Sequence, residues 1–233
     1  MTSKTACVIG ANRGIGLGFV EQLLEQGYQV IATCRHPAKA KALNKLMNKS
    51  VLLEIYPLEV TDDKALEAFA KQLDGRAIDR LIINAGTAGK IGVRHGNPIK
   101  RNNLQQVFNV NAISAIKIAD RLIDLVSASN EKLLIAISSI MGSISDNTSG
   151  GSYAYRASKT ALNAMIYSFA LDVRGEGIHT LLFYPGWVKT DMGGPNALID
   201  VATSVSGMLN MMENAREYAT GSFLDYAGAK MDW

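Results

Sequence analysis

Short runs of aliphatic and β-branched residues alternate with helical patterns along the chain, and that alternation constrains the fold more than any other feature. The expected strands are residues 5–9 (TACVI), 28–34 (YQVIATC), 51–57 (VLLEIYP), 80–84 (RLIIN), 132–138 (KLLIAIS) and 179–184 (HTLLFY), with a seventh at 222–226 (SFLDY). Helices are expected near 15–26, 38–48, 62–73, 102–128, 153–174 and 200–213. The strands read as nearly unbroken apolar runs, as they do where helices cover both faces of a parallel sheet. Successive right-handed βαβ units of this kind build an α/β, doubly wound parallel sheet of about seven strands. No linker divides residues 1–233, which are read as a single domain. Thr61, before Asp62 and Asp63, is the expected cap of the third helix, and Asn102 or Asn103, before Leu104, that of the fourth.

Composition works by exclusion. A chain of 233 residues that is 48% hydrophobic and 19% charged has ordinary globular composition, which argues against disorder. Lys and Arg exceed Asp and Glu by 24 to 21, a net +3 too small and too scattered to imply nucleic acid or an anionic membrane. No apolar run approaches the ~18 residues of a membrane span, and the opening MTSKTACVIGANRGIG is too short in apolar residues for a signal-peptide core. A reducing cytoplasm and no stable membrane insertion are therefore expected. Cys7 and Cys34 cannot form a disulfide framework. His36, His95 and His179 stand far apart and read as surface or edge residues, so no metal site is expected.

A parallel sheet of this type carries its ligand at the carboxyl ends of the strands, so the segments just after each strand are the places to look. After the first strand comes GANRGIG, residues 10–16, which opens the first helix. Gly10 permits the tight turn, Gly14 lets the backbone approach a pyrophosphate, and Gly16 allows close packing of helix on strand. The helix amino terminus offers unpaired N–H groups to that anion. The second strand ends in Cys34 and Arg35, where a site for NAD usually places an acidic residue. Arg13 and Arg35 are two guanidinium groups suited to a ribose 2′-phosphate, with Cys34 as a pocket wall. Further along stand NAG at 84–86, ISSIMGSI at 137–144, YAYRASK at 153–159 and PGWVKTDMGG at 185–194. Tyr155 and Lys159 lie four apart on a predicted helix, so they share a face, whereas four residues beyond Tyr153 stands Ala157.

The order of these motifs over essentially the whole chain resembles the short-chain dehydrogenase/reductase family, whose first loop reads TGxxxGIG; here Ile9 replaces the Thr. The resemblance implies an NADP-binding Rossmann domain. It places Gly10, Asn12, Arg13, Gly14, Ile15, Gly16, Arg35, Asn84, Ala85 and Gly86 on the cofactor. Glu59, where the family usually carries an Asp that meets the adenine, and the Val60 backbone are further expected contacts. Beyond the sixth strand, Pro185 and Gly186 would pass close to the nicotinamide, and Val188 and Thr190 would bind its carboxamide. The family's catalytic residues fall on Asn111, Ser139, Tyr155 and Lys159. Ser138 competes with Ser139, but the following IMG fits Ser139 better. Asn109 competes with Asn111, which matches the family's water-holding asparagine in FNVNAIS. A free tyrosine, with a pKa of about 10, shuttles protons poorly at neutral pH. A Lys159 ammonium would lower that value, and Ser139 would bond the substrate carbonyl.

The 16 residues from Ser139 to Tyr155 carry the polar insert SISDNTSGGS, and with SFLDYAGAKMDW this looks like the C-factor and sniffer-type carbonyl reductase branch. The short stretch after Thr190 implies a small lid and an open pocket, with Ile140, Met141, Trp187 and Met192 as candidate walls. The expected reaction is hydride transfer between NADP(H) and a small carbonyl or alcohol substrate. The rival reading is a C-factor-like signalling or nucleotide-sensing protein with little turnover. A homodimer or homotetramer through the long helices 102–128 and 153–174 is the family-based expectation.

Overall fold

The structure is a computed structural model that describes residues 4–89 and 99–233. Its strands are β1 (Thr5–Ile9), β2 (Gln29–Cys34), β3 (Leu53–Pro57), β4 (Arg80–Ile83), β5 (Leu133–Ile137), β6 (His179–Tyr184) and β7 (Ser222–Asp225). Its helices are α1 (Gly14–Glu25), α2 (Lys41–Met47), α3 (Asp63–Gln72), α4 (Arg101–Phe108), α5 (Ser114–Ser127), α6 (Tyr153–Val173) and α7 (Val201–Glu213). All strand pairs are parallel, in the order β3-β2-β1-β4-β5-β6-β7. The chain winds outward from β1 in one direction and then crosses to β4, so the switch point lies between β1 and β4.

Side chains alternate across the sheet, so one strand feeds two cores. In β1, Ala6 and Val8 join the layer under α1 and α7, with Phe19, Leu23, Met208 and Leu209. Cys7 and Ile9 join the opposite layer under α3, α5 and α6, with Phe69, Leu122 and Ile166. Every residue of β1 and of β5 is buried, which explains their unbroken apolar character. Among the described residues no helix is long and apolar enough to cross a membrane. None of their His, Cys, Asp and Glu side chains form a group of three or more that could hold a metal ion.

Local signals were misleading at three points. Asp62, not Thr61, caps α3: its Oδ1 accepts from the N–H groups of Lys64 at 2.9 Å and Ala65 at 3.3 Å, while Thr61 is held by the Glu59 carboxylate. Neither Asn102 nor Asn103 is a cap, because α4 starts earlier, with Lys100 at the cap position and no side-chain cap bond. The helix expected over 102–128 is interrupted by a π-helical turn, Asn109–Ile113, between α4 and α5. Such a turn inserts one extra residue into the helix and is frequent at functional sites.

His179 corrects the surface reading of the histidines. It is 7% exposed at the start of β6, and burial together with the nearby Arg216 pushes its pKa down, which keeps the ring neutral. His36 is exposed as expected, and His95 lies outside the described residues.

At the amino-terminal edge of the sheet Arg80 is 1% exposed. Its Nε bonds Glu131 at 2.5 Å and its Nη2 bonds Glu213 at 2.6 Å, while the guanidinium lies 4.8 Å from the centre of the Tyr28 ring. Lys4 reaches the same Glu131, and the Tyr28 hydroxyl donates to it at 2.9 Å. Removing one partner from such a buried cluster strands the others. Arg80→Met is expected to lower the unfolding free energy by about 3–5 kcal/mol, read from urea denaturation. A loss below ~1 kcal/mol would show that the cluster acts no more strongly than a surface pair.

Candidate active site

The carboxyl ends of β1, β2, β4, β5 and β6 open into one cleft of about 1060 Å³. Its floor is the turn between β1 and α1. Gly10 has φ +84°, and a Cβ there would stand 2.8 Å from the Ala85 Cα. A Cβ on Gly16 would lie 2.2 Å from the Gly10 carbonyl oxygen and 2.5 Å from Asn84 Nδ2. Asn84 Nδ2 in turn donates to the Gly10 carbonyl at 2.7 Å. The NAG segment therefore clamps the glycine loop from below, and neither contact has room for a side chain. The first turn of α1 carries no acidic residue and no side-chain cap, so its N–H groups remain directed at the cleft.

The adenosine end is formed by Cys34, Arg35, Leu58, Glu59 and Val60. Cys34 is buried and forms wall, and burial raises its thiol pKa, which makes it a poor nucleophile. Arg35 is exposed and enters no hydrogen bond or ion pair among the described residues. The Glu59 carboxylate is turned back onto its own loop, accepting from the Thr61 N–H and hydroxyl at 3.3 and 3.0 Å. Arg13 also lines the cleft, but its Nη1 bonds Asp191 Oδ2 at 2.6 Å, a pairing invisible at a separation of 178 residues.

The opposite end gathers Ser139, Tyr155 and Lys159. Ser139 leaves β5, caps the short turn Ile140–Gly142 by accepting from the Met141 N–H at 3.2 Å, and lines the cleft with the Tyr155 phenol. Ser138 instead donates to Asn163 Oδ1 at 2.5 Å, so the two serines separate by geometry. Lys159 is 4% exposed, and its Nζ donates to the Ile137 carbonyl at 2.8 Å. Burial lowers its pKa to about 8. Burial pushes the Tyr155 phenol above its ordinary value. The expected lowering of the tyrosine by Lys159 is not seen: Ser139 is the group that pulls the phenol down, while burial and the nearby Tyr184 push it up.

Asn111 does not line the cleft. It is fully buried in the π-helical turn, where its Oδ1 accepts from the Thr87 N–H at 2.8 Å and its Nδ2 donates to the Thr87 carbonyl and the Ser158 hydroxyl, both at 2.9 Å. Asn109 is exposed. The extra residue of the π turn is what aims Asn111 at the loop after β4, fixing that loop beside Lys159. Ser158 was not singled out from sequence, although its place beside Lys159 on α6 was a usable signal.

Pro185, Gly186, Trp187, Val188, Thr190 and Met192 form the far lip. The Thr190 hydroxyl accepts from the Gly193 N–H at 3.1 Å and the Trp187 indole donates to the Gly193 carbonyl at 2.8 Å, which makes residues 187–193 a self-supported turn. Trp187 and Met192 are about half exposed, at 47% and 54%, while Ile140 and Met141 are half-buried. Tyr184, the last residue of β6, also faces the cleft and was missed. Its position immediately before Pro185, at the carboxyl edge of a strand, was the available signal.

The model of the short chain dehydrogenase family matches residues 4–198. C-signal of Myxococcus xanthus is 36% identical over 168 residues, covering 72% of this chain and all of that protein. Among solved structures, the carbonyl reductase Sniffer of D. melanogaster superposes with a TM-score of 0.91 at 31% identity, covering 99% of this chain and 100% of that one. The NADPH-bound carbonyl reductase from chicken fatty liver does so with a TM-score of 0.91 at 34% identity, covering both chains fully. Together with the cleft described above, these likenesses establish that the chain belongs to the short-chain dehydrogenase/reductase family, in its C-factor and Sniffer-type carbonyl reductase branch.

Proposed function

We propose that the chain is an NADPH-dependent carbonyl reductase acting on small carbonyl or alcohol substrates. The observation that carries this is the gathering of Ser139, Tyr155 and Lys159 in the same cleft as the clamped glycine loop and Arg35, which has no partner among the described residues. The cofactor is NADP(H). The side-chain-free backbone of the glycine loop, the uncapped α1 terminus and the absence of an acidic residue after β2 fit its pyrophosphate and 2′-phosphate. The solved relatives that hold NADPH or NADP are consistent with that fit.

When bound, NADP(H) supplies the hydride for reduction, or takes it in the reverse direction. Ser139 donates a hydrogen bond to the substrate carbonyl oxygen and stabilises the charge that develops there. Tyr155 transfers its proton to that oxygen, and Lys159, when protonated, stabilises the phenolate left behind. Asn111 holds the Thr87 loop beside Lys159, and in the proposed relay the water is kept at the helical turn that carries it. Ile140, Met141, Trp187 and Met192 shape an adaptable apolar mouth. Glu59 and Val60 flank the adenine. The exposed apolar residues Met165, Tyr167 and Leu171 of α6 supply a face for a dimer or tetramer.

The similarity to C-signal favours a second reading, a nucleotide-binding signalling protein with little turnover. NADPH oxidation in the presence of quinones, aldehydes and diketones separates the two. Tyr155→Phe should reduce turnover by about 10²–10⁴-fold while leaving NADPH binding intact; retained turnover would remove Tyr155 from the mechanism. Arg35→Asp should shift the preference from NADPH toward NADH, and an unchanged ratio of kcat/KM values would mean that other groups decide it. Lys159 carries a stability cost. Its folded pKa of about 8 lies below the ordinary 10.5, so the unfolded chain binds the extra proton between those values and stability rises with pH across that window. Lys159→Met should therefore abolish turnover yet raise the Tm at pH 7, with the gain shrinking as pH climbs from 8 toward 10.5. A variant less stable than the parent at pH 7 would show that the bond to Ile137 outweighs the buried charge.

A further inference from the structure

The cleft has two lips that nearly touch. A Cβ on Gly14 would stand 3.2 Å from Thr190 Cγ2, and one residue outward on each side Arg13 and Asp191 form their 2.6 Å ion pair. The pair thus spans the mouth above the glycine loop. The two side chains are 68% and 76% exposed, so the pair is weak, screened by salt and readily exchanged. Its halves are held differently. Asp191 is presented by a turn braced by the Gly193–Thr190, Gly194–Thr190 and Trp187–Gly193 hydrogen bonds. Arg13 hangs from the cap of α1 on a long flexible side chain with no cap bond. Arg35, on the same cleft, has no partner among the described residues.

We propose that Asp191 is a specificity-determining counter-ion: it straps Arg13 across the cleft and yields it only to a ligand bearing a 2′-phosphate. This rests on the reading of Arg13 and Arg35 as the 2′-phosphate site. A phosphate dianion beside Arg35 outcompetes a single exposed carboxylate for Arg13, because it carries more charge and offers three acceptor oxygens. The strap then opens, and Arg13 and Arg35 hold the phosphate together. A dinucleotide without that phosphate gives Arg13 no alternative partner, and the strap stays shut. Asp191 therefore lowers the affinity for phosphorylated cofactor and eases its release, without touching the reacting atoms.

The test is isothermal titration of the whole protein with 2′,5′-ADP, 5′-ADP, NADPH and NADH, for the parent, Asp191→Asn, Arg13→Ala and the double variant. Asp191→Asn keeps the shape of the side chain and removes its charge. It should tighten 2′,5′-ADP and NADPH by roughly two- to fivefold and leave 5′-ADP and NADH unchanged. The gain should fade between about 0.05 and about 0.5 M salt and vanish in the Arg13→Ala background. Equal tightening of all four ligands would overturn the proposal, since Asp191 would then only obstruct the channel; so would no change, or weaker binding of NADPH. If Arg13→Ala weakens 2′,5′-ADP while Asp191→Asn does nothing, the strap fails and the phosphate site stands. If Arg13→Ala leaves 2′,5′-ADP unchanged, the assignment of Arg13 to the phosphate falls, and the strap with it.

Discussion

A parallel strand hydrogen-bonded on both edges and buried on both faces can meet solvent only at its ends, and β1 is such a strand. Everything functional in this chain follows from that confinement. The carboxyl end of β1 must turn at once into α1, and the turn has no spare volume: Gly10 lies against Ala85, and Gly16 lies against the Gly10 carbonyl and Asn84. The bond from Asn84 to that carbonyl ties the loop after β4 to the loop after β1 across the switch point. Because all seven strands run the same way, the loops after β2, β5 and β6 arrive on the same side. The cleft is the space these loops leave between them.

Two buried cations, at opposite ends of the sheet, are handled in opposite ways. Arg80 is enclosed by Glu131, Glu213 and the Tyr28 ring, so its charge is neutralised where it serves packing. Lys159 has a carbonyl oxygen but, among the described residues, no carboxylate, and burial lowers its pKa to about 8. A cation left uncompensated next to a phenol is costly to the fold and useful to proton transfer. The tyrosine shows the same tension, since burial raises its pKa and Ser139 pulls it down. Burial works against the charged form of both groups.

The π-helical turn at Asn109–Ile113 joins these two themes. A regular helix over 102–128 would keep the 3.6-residue period and orient Asn111 otherwise. The inserted residue turns its amide inward, where both backbone groups of Thr87 and the Ser158 hydroxyl use it fully. Asn111 thereby fixes the loop after β4 relative to α6, the helix that carries Tyr155 and Lys159.

The amino-acid sequence by itself determined the order and kind of the elements, because strands buried on both faces must be continuous apolar runs and helices must be amphipathic. It also determined the glycine loop and the Tyr155–Lys159 pair, since a turn and an i, i+4 spacing are local facts. What it could not fix were partners brought together from far along the chain. The Arg13–Asp191 pair, the Arg80 cluster and the bond that holds Ser138 to Asn163 depend on which loops the sheet places side by side. Even the caps of α3 and α4 turned on one or two residues of helix phase. A periodic pattern reports which face of an element is buried; only the folded sheet decides which polar group waits on the other side of the cleft.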